Sequence, residues 1–331
     1  MIHSINTLLE KAIESRVHLF DPPHETAFRL FNGFAEGDPE LVIDIYASTA
    51  VIHNYANDPM QKQTVIQEAI NYLRNSLMWL QGGVLKIRNG KTQEEKKGKL
   101  AFGDQPDRKI KEHGVWYAID LMMNRDASLY LDTRHLRKWL IENMQGKSVL
   151  NTFAYTGSLG VAALVGGASL TVQTDRTRQF LNLAKESYSL NSLPIHKKDF
   201  ITADFFPIIS KFKSTKQFFD CVIMDPPFFS TTARGKVDQE NDSARLINKV
   251  RPLINNGGTL VAINNALYVS GKEYMQTLEA LCKDGYLTIK EIIPVPDDFV
   301  GYNRIEPPIT DPNPFNHSTK IVVLGVKRKQ A

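Results

Sequence analysis

Three aspartates at the ends of three apolar runs, with a proline pair directly after the last, are the residues here best placed to do chemistry. Asp175 closes Ser169-Leu-Thr-Val-Gln-Thr-Asp175, Asp204 closes Lys198-Asp-Phe-Ile-Thr-Ala-Asp204, and Asp225 closes Phe218-Phe-Asp-Cys-Val-Ile-Met-Asp225. Each run reads as a short strand. In an open parallel sheet the carboxyl ends of the strands converge on one crevice, so these three side chains would line one ligand. Beyond Asp225 come Pro226, Pro227 and Phe228. The stiff proline pair would hold the Asp225 carboxylate and the Pro226 carbonyl on one side of a slot, with Phe228 offering a flat face. A planar base fits such a slot: the two oxygens accept from a base N–H and raise the nucleophilicity of its nitrogen, while the ring replaces stacking lost when the base is flipped out. The plainer alternative is that Pro-Pro only ends the strand.

Upstream, Val149–Phe153 reads as a buried strand, Ala154-Tyr155-Thr156-Gly157 as a sharp turn, and the small apolar residues that follow as a helix closed by Gly166-Gly167. A parallel strand entering a helix through such a turn presents free N–H groups and the helix's positive end to a ligand. Gly157 and Gly160 do not make the GxGxxG cradle of a pyrophosphate site. An acid closing the second strand can accept both hydroxyls of a ribose, so a ribose-bearing ligand without a pyrophosphate is expected. S-adenosylmethionine fits better than NAD. Plain α/β architecture is the alternative for the turn alone.

Taken together, Tyr130-Leu-Asp-Thr-Arg134, Asn151-Thr-Phe-Ala-Tyr-Thr-Gly157, Asp175, Asp204, Asp225-Pro-Pro-Phe228 and Asn264-Asn265 resemble the class I S-adenosylmethionine-dependent ribosomal RNA methyltransferases of the bacterial large subunit. The chain is similar both to the cytosine-C5 enzymes of that group and to the guanine-N7 half of its bifunctional member. The resemblance runs over about residues 126–326, with a weaker extension through Phe28–Asp44. It implies a Rossmann-like seven-stranded α/β sheet and S-adenosyl-L-methionine as cofactor, held by Arg134, Thr152, Phe153, Ala154, Tyr155, Thr156, Gly157, Ser158, Asp175, Arg176, Asp204, Phe205 and Asp225. Arg134 would pair with the cofactor carboxylate. Thr133 is expected to cap the helix that follows.

Asp225, Pro226, Pro227, Phe228 and Asn264 are the candidate catalytic residues. Cytosine-C5 chemistry needs a thiolate to attack C6, and the two cysteines are badly placed for it. Cys221 lies four residues before Asp225 in the same strand, about 13 Å back, and Cys282 falls late in a helix. Where the C5 relatives carry their cysteine this chain has Asn264-Asn265, resembling the guanine-N7 relative; these amides could read a guanine edge or cap the following turn. Methyl transfer to a base nitrogen of RNA, 23S ribosomal RNA above all, is therefore the expected function. Three alternatives stay open: cytosine-C5 methylation, a non-catalytic RNA-binding or assembly factor, and methylation of a protein glutamine or small metabolite.

The elements that must carry these residues suggest two domains, an α+β domain over 1–125 and the methyltransferase domain over 126–331, as a 331-residue chain allows. The first has an amphipathic helix to about residue 20, able to pack on the body or on a second copy to form a homodimer, short strands at 28–31, 41–46 and 50–55, a helix from Lys62 to Trp79, and further strands at 83–88 and 113–121. In the second, Ser230–Asn241 reads as a polar loop, Asp242–Ile254 as a helix ended by Asn256-Gly257-Gly258, and the proline-rich Asp297–Ser318 as a substrate-side lid. Hydrophobic and charged contents of 42% and 23% are globular. No apolar run reaches membrane-spanning length, no secretory signal opens the chain, and the eight His show no metal spacing, so a cytoplasmic protein without membrane or metal partners is expected. Of the net charge of +4, a local +5 falls between Gly83 and Lys111, nine basic residues against four acidic. Within it Lys91, Lys96, Lys97, Lys99, Arg108 and Lys109 are candidate RNA contacts on a basic hairpin, or simply its solvated tip.

Overall fold

The computed structural model describes residues 4–301 and 308–328. Packing divides the chain into two compact units, Met1–Leu131 with Pro296–Pro307, and Asp132–Val295 with Pro308–Ala331. The chain thus changes unit at 131/132 rather than at 125/126, and a late segment returns to the first unit. The return has a physical cause: Asp298, on the short helix Asp297–Val300, accepts from the Arg29 backbone N–H at 2.8 Å, and the Arg29 guanidinium lies 4.0 Å over the Phe299 ring. No local pattern announces a contact between residues so far apart in sequence.

The first unit is a five-stranded sheet in the order β1 (Ala27–Asn32), β2 (Leu41–Tyr46), β3 (Thr49–Asn54), β4 (Gly82–Ile87), β5 (Lys99–Phe102), antiparallel except for β3 beside β4. Alternate residues of these strands point to opposite faces. Phe28, Leu30, Ile43, Ile45 and Ile52 bury one face with Leu9 and Ala12 of α1 (Ile5–Arg16). Ile66, Ala69 and Leu73 of a second helix complete that core; it spans Gln63–Ser76 and is α3, after the single turn α2 (Gly33–Glu36). The apolar stripe of α1 is therefore covered by its own chain. On the other face Asp44 is buried and takes two hydrogen bonds from Arg29, at 2.8 and 3.2 Å. The expected basic hairpin is not one element. Between β4 and β5 the chain forms α4 (Gln93–Lys97), started by a capping box in which Thr92 and Glu95 satisfy each other's backbone N–H, and a separate hairpin follows, β6 (Lys109–Glu112) with β7 (Val115–Ala118).

The second unit is a seven-stranded sheet in the order β10-β9-β8-β11-β14-β16-β15, where β8 is Ser148–Thr152, β9 Leu170–Asp175, β10 Phe200–Thr202, β11 Phe219–Met224, β14 Ile254–Asn264, β15 Leu287–Ile293 and β16 Lys320–Val326. The first five in that order are mutually parallel and β16 is antiparallel to both its neighbours. Strand periodicity builds two cores from the same strands. Leu150, Val222, Leu260 and Val322 face α8 (Phe205–Ser214), α9 (Ser243–Val250) and α10 (Gly271–Cys282), whereas Val149, Cys221, Val261 and Ile321 face α5 (Arg134–Asn143) and α6 (Ser158–Val165). A further helix, α7 (Arg178–Leu190), joins β9 to β10. From β8 the connections run outward through β9 to β10 on one side, and the chain then crosses to β11 on the other. Ligands in open α/β sheets sit at such a reversal, outside the strands' carboxyl ends.

Two local expectations differ from what forms. Ser230–Asn241 is not a loop: β12 (Phe229–Thr232) pairs with β13 (Gly235–Asp238), as the β-branched pair Thr231-Thr232 before a glycine turn allows. Asn256-Gly257-Gly258 does not end a helix but lies inside β14, since Pro252 stops α9 in one 3₁₀ turn. Part of the Asp297–Ser318 lid lies outside the described residues.

Candidate active site

Register lines up the carboxyl ends of the central strands. Thr152 of β8 is paired with Thr174 of β9 and with Met224 of β11, so Phe153, Asp175 and Asp225 all fall one residue beyond a common row. Asp175 and Asp225 stand two strand spacings apart, roughly 10 Å of backbone.

The turn after β8 is tightly specified. Phe153, Tyr155 and Gly157 all have positive φ, at 54°, 51° and 77°, conformations that cost non-glycine residues free energy and survive only where neighbours enforce them. The enforcing contacts are visible: the Ala154 N–H donates to the Thr174 carbonyl at 2.9 Å, and the Tyr155 N–H donates to Asp175 Oδ2 at 2.9 Å. Asp175 Oδ1 accepts from the Thr177 N–H at 2.8 Å, so the carboxylate holds the turn in place. The Arg176 N–H also reaches this carboxylate, which with about four acceptor positions keeps capacity for a ribose hydroxyl. Burial raises the pKa of Asp175, against the pull of those backbone donors. Phe153 stacks on Phe205 with centroids 4.5 Å apart, and Asp204 caps α8 by accepting from the Phe206 N–H at 3.1 Å. Tyr155 meets the edge of Phe180.

Not every expected cofactor residue is oriented outward. The Thr152 hydroxyl is buried and donates to the Ile223 carbonyl at 2.8 Å, a strand-to-strand tie. Arg176 is exposed just past β9, and Ser158 opens α6. Arg134 opens α5. Thr133 occupies the cap position of that helix, yet its hydroxyl accepts from Arg137 Nη1 at 2.8 Å and makes no capping bond. Gly157 and Gly160 are small for a reason the sequence alone does not show. A Cβ at Gly160 would lie 2.4 Å from Gln173 Nε2, and one at Gly157 would lie 2.5 Å from the Ala184 Cβ. The buried Gln173 reaches from β9 between Asn151 and the Gly157 carbonyl, and the helix must be bare where it passes.

At the end of β11, Asp225 is half-buried and hydrogen-bonds to no other described residue. Its carboxyl is pushed up to about 7, first by burial and then by the neighbouring carboxylate of Asp132. Asp132 accepts from Thr319 Oγ1 at 2.9 Å. Phe228 and Phe229 are 41% and 55% exposed and Tyr268, after β14, is 64% exposed, so flat faces stand open near these strand ends. The Pro226 carbonyl, expected to face a base, instead accepts from Gln239 Nε2. Asn264 is likewise spent within the protein: Nδ2 donates to the Gln239 carbonyl at 3.0 Å and to Ser243 Oγ at 2.9 Å, and Oδ1 accepts from the Ala266 N–H. It therefore plays the turn-capping part. Of the two asparagines it is Asn265 whose side-chain oxygen is buried with no partner among the described residues. The thiols are as remote as the sequence implied: burial pushes Cys221, at mid-strand between Val149 and Thr259, up to about 12, and raises Cys282 as well.

Among the described residues no group of three or more His, Cys, Asp or Glu could hold a metal ion, and no helix is long and apolar enough to cross a membrane. The residues present fit an adenosyl sulfonium cofactor: a carboxylate with acceptor capacity left at the second strand, an aromatic-lined turn at the first, and a carboxyl at the fourth with no hydrogen bond among the described residues. Solved structures share the fold. SMU.776, described as a methyltransferase complexed with SAH, superposes with a TM-score of 0.85 at 22% identity, covering 97% of this chain and 81% of that one. The Bacillus subtilis protein YwbD, named for a ribosomal RNA large subunit methyltransferase, is 30% identical over 88% of this chain and 74% of its own length. Ribosomal RNA large subunit methyltransferase I of Photobacterium profundum is 30% identical over 62% of this chain, which spans about half (52%) of it, and methyltransferase K/L of Colwellia psychrerythraea is 32% identical over 72%, with 34% of its length matched. The profile of the S-adenosylmethionine-dependent methyltransferases matches residues 78–299, across the strand ends that carry the three aspartates, and the chain belongs to that family.

Proposed function

We propose that this protein methylates a base nitrogen in large-subunit ribosomal RNA. Bound S-adenosylmethionine supplies a methyl group already activated on a sulfonium, so the protein's own work is orientation, exclusion of water and disposal of one proton. Asp225 carries the reading. A carboxyl with no hydrogen-bond partner among the described residues and poised near neutrality can accept an N–H from the acceptor base and take the proton that nitrogen sheds. Phe228 lies three residues on and open to solvent, available as a stacking face. Since Asn264 is satisfied internally, the amide that would read the base edge is Asn265. Asp175, the turn 153–157, Asp204 and Arg134 would hold the cofactor, and Lys91, Lys96, Lys97, Lys99, Arg108 and Lys109 the RNA backbone. The names of YwbD and of methyltransferases I and K/L support RNA as substrate, and thiols that burial holds protonated, Cys221 wholly buried and Cys282 partly so, favour nitrogen over cytosine C5.

Labelled methyl transfer into ribosomes, subunits and free RNA from a deletion strain, followed by nucleoside analysis, tests this. The label is expected in a nitrogen-methylated base, for the parent and for a Cys221→Ala, Cys282→Ser double variant alike. Asp225→Asn should slow transfer by about 10²-fold or more. Label in 5-methylcytosine that disappears with Cys221→Ala would overturn the nitrogen assignment.

A further inference from the structure

A glutamine side chain offers a donor and an acceptor side by side, so a buried one must find a carbonyl and an N–H together. Gln239 is 1% exposed and does so: Nε2 donates to the Pro226 carbonyl, and Oε1 accepts from the Asn265 backbone N–H at 2.6 Å. Its own backbone closes the same ring. The Gln239 N–H donates to the Phe228 carbonyl at 3.0 Å, and its carbonyl accepts from Asn264 Nδ2 at 3.0 Å and from Ser243 Oγ at 2.6 Å. One residue, directly after β13, thereby ties the loop carrying Asp225 and Phe228 to the end of β14 that carries Asn265. The Asp225 carboxyl has no hydrogen bond to a described residue, so the backbone around it decides where it points. The carbonyl that Gln239 grips is the next one along.

We propose that Gln239 is a positioning residue for methyl transfer: by clasping Pro226 and Asn265 at once it fixes the Asp225 carboxyl and the Phe228 ring relative to the Asn265 amide and keeps water from the carboxyl. At 1% exposure it would itself touch neither cofactor nor acceptor. The inference rests on the reading of Asp225 given under the proposed function. Geometry also says which substitutes could serve. A glutamate at neutral pH would set a carboxylate against the Pro226 carbonyl, whereas a protonated glutamate has an O–H and a C=O where the amide has its N–H and C=O.

The full-length chain carrying Gln239→Met, Gln239→Glu or Asp225→Asn is compared with the parent for S-adenosylhomocysteine affinity by calorimetry, for kcat and KM with RNA, and for its pH–rate profile. Gln239→Met should lose about tenfold or more in kcat, the scale of a small misplacement, with cofactor-product affinity unchanged. The rising limb set by Asp225 should move down from near 7 toward the ordinary carboxylate range as water reaches the group. A merely structural role would lower thermal stability and leave that limb in place. Activity of Gln239→Glu relative to the parent should climb as pH falls. Parental kcat and limb in Gln239→Met, with Asp225→Asn inactive, would overturn the positioning role alone; full activity in Asp225→Asn would remove the reading beneath it. Should Gln239→Met fail to fold, a Gln239→Glu to parent ratio that stays flat with pH overturns the proposal.

Discussion

Asp225 is a carboxyl whose ionisation the fold opposes, and that has consequences for stability as well as chemistry. Burial and Asp132 raise its pKa from an ordinary 3.8 to about 7, so folding favours the protonated form. A group with a raised native pKa contributes stability that is fully present below its unfolded pKa, near 4, and lost as pH rises through its native one. Asp225→Asn removes that loss. Without cofactor, the variant should match the parent near pH 4 and exceed it at pH 8 by roughly 1–3 kcal/mol, less than the whole shift implies because the residue is only half-buried. Urea unfolding at the two pH values reads the difference directly. A gap that does not change with pH would mean that the carboxyl ionises freely and is no poised base. The aspartate itself was legible from its place after an apolar run and before two prolines; its tuning partner was not, because Asp132 lies in the 3₁₀ turn ahead of α5 and reaches the site only through the fold.

The strand-turn-helix around Gly157 shows how an element can be read correctly for an incomplete reason. Two glycines three residues apart signal close approach of something to the helix, and a ligand's phosphate is the usual guest. Here the guest is Gln173 of the neighbouring strand, whose amide bonds Asn151 and the Gly157 carbonyl beneath the helix. Sequence alone could not supply this, because parallel pairing of β8 with β9 brings together residues that share no local pattern. Gly160→Ala should cost about 1–3 kcal/mol by overpacking and weaken cofactor binding several-fold as the turn shifts. A double-mutant cycle identifies the cause. Once Gln173→Ala has removed the obstructing amide, the added methyl of Gly160→Ala should cost clearly less than in the parent, with a coupling of at least about 0.5 kcal/mol. Strict additivity in thermal or urea unfolding would place the clash elsewhere. Hairpin β12–β13 is the opposite case: its polar residues concealed a regular element, and with it the glutamine that follows.

Over the whole molecule, the class of sheet and its crevice follow from strand ends and turns, whereas the return of Asp297–Val300 to the first unit depends on Arg29 meeting Asp298 and Phe299, a pairing invisible until the chain is folded. Charge shows the same limit. The excess between Gly83 and Lys111 looked like one basic patch, but the fold spends much of it internally. Lys86 is buried and donates to the Lys97 and Asn124 carbonyls, Arg88 pairs with Asp126 and Arg108 with Asp120, and Lys109 and Lys111 lie against the Trp116 ring. Lys91, Lys96, Lys97 and Lys99, on and beside α4, form no salt bridge among the described residues. If these hold RNA, each neutralised phosphate of a single strand contributes about 0.7 to the slope of log K against log salt. Replacing Lys96, Lys97 and Lys99 together by alanine should therefore flatten the slope by about 2, with S-adenosylhomocysteine affinity untouched, while replacing Arg108 and Lys109 should flatten it less per charge removed. Filter binding of large-subunit RNA across a salt series separates the cases, and a slope unchanged by the triple variant would remove α4 from the RNA interface and return its lysines to the role of a solvated surface.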